Sequence, residues 1–134
     1  GHEPVTLLSK DGTSSLESTG LPLGIDTDSR WKTTEHWLQK GDRLLMATDG
    51  VAESHNVNEQ QFGRGRIAEI FAGSVNEPLD DSLNRLVGEL GQHAGNLPPD
   101  DDVTILALEC NSVGGQRLEV YHPNHLRIVR EAVA

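Results

Sequence analysis

Cysteine is all but missing from this 134-residue chain, which has Cys110 and no other. A single thiol excludes an internal disulfide framework and a cysteine-built zinc site, and it is ordinary in a reducing compartment, so a cytoplasmic location is expected. Aromatic residues make up 4% of the chain, so the core has to be assembled from Leu, Val and Ile. No apolar run approaches the roughly 18 residues of a membrane span, and the first residues show neither a basic start nor an apolar signal segment, so no membrane role is expected. Cations are scarce too: 11 Lys and Arg stand against 21 Asp and Glu, for a formal charge of -10. Those basic residues are scattered, which argues against nucleic acid, because phosphates attract clusters of Lys and Arg. An acidic excess is usually a solvated surface, but it also suits divalent cations wherever carboxylates converge.

The length fits one domain able to bury roughly 68% of the surface its unfolded form exposes. Val5 to Leu8, followed by Ser9-Lys10-Asp11-Gly12-Thr13, reads as a β-hairpin, with Asp-Gly supplying the positive φ of a tight turn. Trp31 to Gln39 and Arg43 to Thr48 read as two strands around a Gly41 turn, the second apolar on both faces and therefore deep in a sheet. Ile67, Ile70 and Phe71 share a helical face closed by Gly73. Leu79, Leu83, Leu86, Val87 and Leu90 mark a longer helix between Pro78 and Gly95. Val103 to Leu108 is a second strand apolar on both faces, a natural partner for the first. Residues 111–116 read as a linker, Leu118-Glu119-Val120 as a brief strand, and Pro123 to Ala134 as a helix.

Two acidic features stand at strand ends. One buried strand runs into Asp49-Gly50, and the other starts just after Asp101-Asp102. If the strands are antiparallel neighbours, both features lie at one edge of the sheet, where adjacent strands are about 4.8 Å apart. Two carboxylates ~4 Å apart repel by roughly 4 kcal/mol at an effective dielectric of 20, a cost that a proton or a cation removes. Oxygen ligands select a hard ion such as magnesium or manganese. The plainer alternative is turn chemistry, for which Asp-Gly after a strand is common.

The wider pattern resembles the bacterial branch of the type 2C protein phosphatases, the family of the sporulation stage II E phosphatase and of the stress-response sigma-factor regulators. The resemblance runs through Gly1-His2-Glu3-Pro4, Gly20-Leu21-Pro22-Leu23-Gly24, Gly41-Asp42-Arg43-Leu44-Leu45-Met46-Ala47-Thr48-Asp49-Gly50-Val51 with Glu53, Phe62-Gly63, and Asp101-Asp102-Val103-Thr104. It implies an α+β fold, an antiparallel β-sandwich flanked by helices in an αββα arrangement, of which residues 1–110 form the C-terminal half. It also implies metal ligation by Asp49 and Asp101, with Gly50 and Asp102 as further metal or supporting positions, and paired manganese or magnesium ions that hydrolyse phosphoserine or phosphothreonine. No catalytic side chain beyond the metal ligands is implied. The family's earlier metal-binding blocks fall before Gly1, so the chain by itself is expected to hydrolyse poorly. The expected substrate is a phosphorylated anti-sigma-factor antagonist, with an upstream receiver or sensor domain. Residues 111–134 are expected to be a linker and C-terminal helix, or the lead-in to an anti-sigma kinase ATPase domain.

A phosphatase-like adaptor without catalysis is the rival reading, and open sheet edges also allow pairing of two copies. Thr104 is read as a β-former. The histidines form no metalloprotease spacing, and His122 and His125 are read as surface residues. Ser54-His55 lacks a third triad member. Cys110 is read as a small core residue, and Trp31 and Trp37 as same-face core residues of a strand.

Overall fold

The computed structural model describes residues 3–22, 24–112, 115–121 and 129–133. Its frame is one antiparallel sheet built from β1 (Val5–Ser9), β2 (Gly12–Leu16), β3 (Arg43–Ala47), β4 (Ile105–Ser112), β5 (Gly115–Tyr121) and β6 (Val129–Val133), in the order β2-β1-β3-β4-β5-β6. The hairpin forms as expected: Ser9 pairs with Gly12, and Gly12 takes the positive φ of +116° that a side chain resists. The two apolar strands are central neighbours, with Ala47 opposite Ile105 and Leu45 opposite Ala107.

Three helical segments follow β3: the single turn α1 (Asp49–Ala52), then α2 (Arg64–Gly73) and α3 (Leu79–Ala94). Gly95 ends α3 in a left-handed conformation (φ +63°), its N–H bonded to the Gly91 carbonyl. The strand period of two puts Leu8, Leu45, Ile105 and Ala107 on one face of the sheet. There they join Ile67 and Phe71 of α2 and Leu79, Leu83, Leu86 and Leu90 of α3 in a single core. The opposite face, with Leu44, Met46, Leu106 and Leu108, is half-buried. One sheet and one helical layer make an α+β arrangement, a portion of the four-layer architecture expected.

Arg43 is buried in this core region, and its guanidinium is fully engaged. Its Nε donates to Glu109 Oε2 (2.6 Å), and its two terminal nitrogens donate to Ser82 Oγ (3.0 Å) and to the carbonyls of Ser74 (3.1 Å) and Glu77 (2.6 Å). One side chain thus ties the sheet to the junction between α2 and α3, which explains how a cation is tolerated there.

Three expectations are corrected. Residues 31–39 form no strand: Trp31 is 47% and Trp37 89% exposed, so neither is a core residue. Both hydrogen-bonding edges of β3, beside which a hairpin through Gly41 would lie, are already taken by β1 and β4, and Trp31, Trp37 and Leu38 are too few apolar groups to hold a further strand down. Trp31 instead lies over Gly20 and donates its Nε1–H to the Leu21 carbonyl (2.8 Å). In the C-terminal stretch, 111–116 is no linker, since β4 runs to Ser112 and β5 pairs back from Gly115, and over Val129–Val133 the chain is a strand paired with β5, not a helix, while residues 122–128, which include His122 and His125, lie outside the described residues.

Candidate metal-binding rim

The antiparallel pairing of β3 with β4 brings the end of one strand beside the start of the other. Thr48 follows β3, and its hydroxyl does two things at once. It donates to the Asp102 carbonyl (2.8 Å) and accepts the Thr104 N–H (2.9 Å). Its own N–H donates to the Thr104 carbonyl (3.0 Å). This clasp fixes the Asp101-Asp102 segment against the Asp49-Gly50 turn, across 54 positions of sequence.

Gly50 makes the close approach possible. A Cβ there would stand 2.6 Å from the Asp102 carbonyl oxygen and 3.4 Å from the Asp101 carbonyl carbon, so only a hydrogen fits. Asp49 opens α1, where a carboxylate suits the exposed N–H groups of a first turn. Its Oδ1 accepts the Gly50 N–H (3.0 Å), and Asp101 Oδ1 accepts the Asp102 N–H (2.6 Å). Each carboxylate therefore has one oxygen anchored by backbone while the side chain stays exposed at the rim. Asp102 is exposed as well, and it enters the clasp through its carbonyl.

His55 reaches the same segment, its Nδ1 lying 3.2 Å from Asp100 Oδ2. The pairing joins the loop after α1 to the acidic stretch, and nothing in the local pattern around Ser54-His55 announces it. Thr48 was equally silent, because a hydroxyl at a strand end is ordinary until the register places a carbonyl and an N–H against it. Thr104 contributes backbone groups to the clasp, in keeping with its reading as a β-former. Cys110 is half-buried in β4. Among the described residues, no group of three or more His, Cys, Asp or Glu side chains gathers as a metal cage. Among the same residues, no helix is long and apolar enough to cross a membrane.

Comparison with known proteins adds to this geometry. A sequence model of the stage II sporulation protein E family matches residues 1–111. Protein IcfG of Synechocystis is 30% identical over 115 residues, which cover 83% of this chain and 18% of that protein. Phosphoserine phosphatase RsbU of Bacillus subtilis is 43% identical over 60 residues, covering 43% of this chain and 18% of that protein. The chain thus spans about a fifth of the length of these relatives. No solved structure matches. On the match over most of its length, the chain belongs to the stage II sporulation protein E family.

Proposed function

We propose that this chain is the C-terminal half of a metal-dependent phosphatase domain that hydrolyses phosphoserine or phosphothreonine on a protein, with Asp49 and Asp101 as metal ligands. The observation that carries the reading is the convergence of the Asp49-Gly50 turn and the Asp101-Asp102 segment at one rim, locked by Thr48. The donor set fits manganese or magnesium: both side chains offer hard carboxylate oxygens, and a backbone N–H orients each. A bound divalent ion supplies polarisation of a water molecule and relief of charge on the phosphoryl oxygens.

The residues of the chain do the holding. Asp49 and Asp101 supply negative charge, Gly50 allows their segments to touch, and Thr48 prevents them from separating. Asp102 serves through its backbone carbonyl, with its carboxylate available at the same rim. Two carboxylates are a partial ligand set, so on this reading the remaining ligands come from elsewhere in the full-length protein. The physiological substrate we propose is a phosphorylated anti-sigma-factor antagonist, as the family resemblance implies, and the setting is cytoplasmic signalling.

Calorimetric titration of the full-length protein with manganese tests the site. Asp49→Asn and Asp101→Asn are each expected to weaken binding at least about tenfold, since even the groups that support a metal ligand are worth that much. Undiminished affinity in both variants would leave a phosphatase-like adaptor as the better account. Appreciable manganese-dependent turnover by the 134-residue chain alone would show that no further ligands are needed.

A further inference from the structure

The loop that joins α1 to α2 folds back on itself and carries a side chain to the rim. His55 and Gln61 form an antiparallel bridge, the Phe62 N–H donates to the Ser54 carbonyl (2.8 Å), and the Gly63 N–H donates to the Ala52 carbonyl (2.8 Å). At the tip, Asn56 Oδ1 accepts the N–H groups of Asn58 (2.9 Å) and Gln60 (3.1 Å). Phe62, buried in the core, pins the far end. A loop so closely bonded to itself leaves the His55 backbone little freedom.

The ring is fixed as well. His55 Nδ1 lies 3.2 Å from Asp100 Oδ2, and Asp100 immediately precedes Asp101. A carboxylate only accepts, so the proton of this bond belongs to Nδ1. Nε2 is then the nitrogen left to act, and among the described residues it has no hydrogen-bond partner. The imidazole is 38% and the carboxylate 72% exposed, so the pair adds little to stability. What it sets is a tautomer and an orientation, as a carboxylate does for a working imidazole.

The rim otherwise offers aspartates, which suit a cation but bring no proton. Hydrolysis of phosphoserine needs one, because a seryl alkoxide leaves poorly unless its oxygen is protonated as the bond breaks. Imidazole is the side chain that gives and retakes a proton most readily near neutrality.

We propose that His55 is a catalytic residue, the general acid that protonates the departing seryl oxygen through Nε2, and that Asp100 is its positioning residue. The inference rests on the phosphatase reading and adds to the metal ligands a side chain that acts on the leaving group. A water oxygen bonds to phosphorus as the bond from phosphorus to the seryl oxygen breaks. The electron pair of the broken bond stays on the seryl oxygen, which takes the Nε2 proton. The phosphate formed with water returns one proton to the imidazole, so serine and hydrogen phosphate leave and His55 is restored.

The test compares leaving groups on the manganese-loaded full-length protein. A phosphoserine peptide needs the proton, whereas 4-nitrophenyl phosphate releases a stabilised phenolate that does not. His55→Gln is expected to lower kcat on the peptide about 100-fold, the lower end of what a positioned proton donor contributes, and to lower it far less on 4-nitrophenyl phosphate. Asp100→Asn should show the same bias in weaker form. Two readouts stand apart from turnover. Calorimetry should find equal manganese affinity in His55→Gln and the unaltered protein. Nitrogen NMR spectra of the histidine-labelled, metal-free protein should show neutral His55 protonated on Nδ1, a preference that Asp100→Asn weakens. Equal losses on the two substrates, or no loss on either, overturn the inference and leave the phosphatase reading standing. Weaker manganese binding in His55→Gln overturns it too, as does a neutral His55 protonated on Nε2 in the unaltered protein. Release of phosphate from neither substrate by the unaltered protein overturns the phosphatase reading and this inference with it.

Discussion

At the scale of single residues, the rim depends on an atom that is absent. Gly50 has no Cβ, and the space a Cβ would need is held by the backbone of Asp101 and Asp102. Gly50→Ala is expected to cost about 1–3 kcal/mol, as inserted methyl groups do in tight sites, and to push the two acidic segments apart. Urea unfolding measures the first effect and manganese titration the second. Arg43 poses the opposite problem, a charge where the core leaves no water. Removing it as Arg43→Met leaves Glu109 facing a side chain with no donor and strips partners from the Ser74 and Glu77 carbonyls. A loss of about 3–5 kcal/mol is expected from breaking such a pair, and replacing Glu109 by Leu as well should restore part of it. Denaturant midpoints of the single and double variants decide this. The meeting of the two aspartate segments was legible in the sequence because Asp49 closes one apolar run and Asp101-Asp102 opens onto another. The Arg43 network was not, because its partners lie on other elements and include backbone carbonyls that carry no residue identity.

At the scale of elements, the central strands and the two longer helices were legible because each carries a periodic apolar pattern that a single neighbour can bury. α3 shows this best, with Leu79, Leu83, Leu86 and Leu90 all inside. The segment from 31 to 39 misled because two tryptophans six positions apart imitate one face of a strand. Pattern alone does not reveal that β3 already has a neighbour on each side. The contrast is measurable. Leu86→Ala should cost about 2–5 kcal/mol, as truncations of fully buried leucines do. Trp37→Ser, at a side chain 89% exposed, should change stability by no more than about 0.5 kcal/mol. Equal losses in the two variants would mean that the tryptophan segment packs against something. The clasp belongs to this scale too: Thr48→Val keeps the shape and removes both hydroxyl bonds, so amide exchange at Thr104 should accelerate.

At the scale of the whole molecule, one sheet is covered by helices on one side, and its other side remains half-buried and apolar along Leu44, Met46, Leu106 and Leu108. The α+β class was legible from the succession of strand and helix patterns. One sheet under one helical layer is a portion of the αββα arrangement that the family pattern led one to expect. On the proposed reading, manganese stabilises the folded full-length protein by about 2.7 kcal/mol once free ion exceeds its dissociation constant a hundredfold. Thermal unfolding with manganese and with a chelator should show that gap in the unaltered protein. The Asp49→Asn, Asp101→Asn double variant should close it.

The strand order has a temporal corollary. β3 and β4 are neighbours in space, yet α1, α2 and α3 intervene between them along the chain, so no local unit contains both halves of the rim. Hairpin and helices can form early from nearby residues, whereas closing the long loop to seat β4 is entropically slow. Affinity for a divalent ion should therefore emerge late in refolding. A rapid-mixing experiment that follows far-ultraviolet ellipticity alongside a manganese-sensitive dye should find the helical signal complete before the ion is captured.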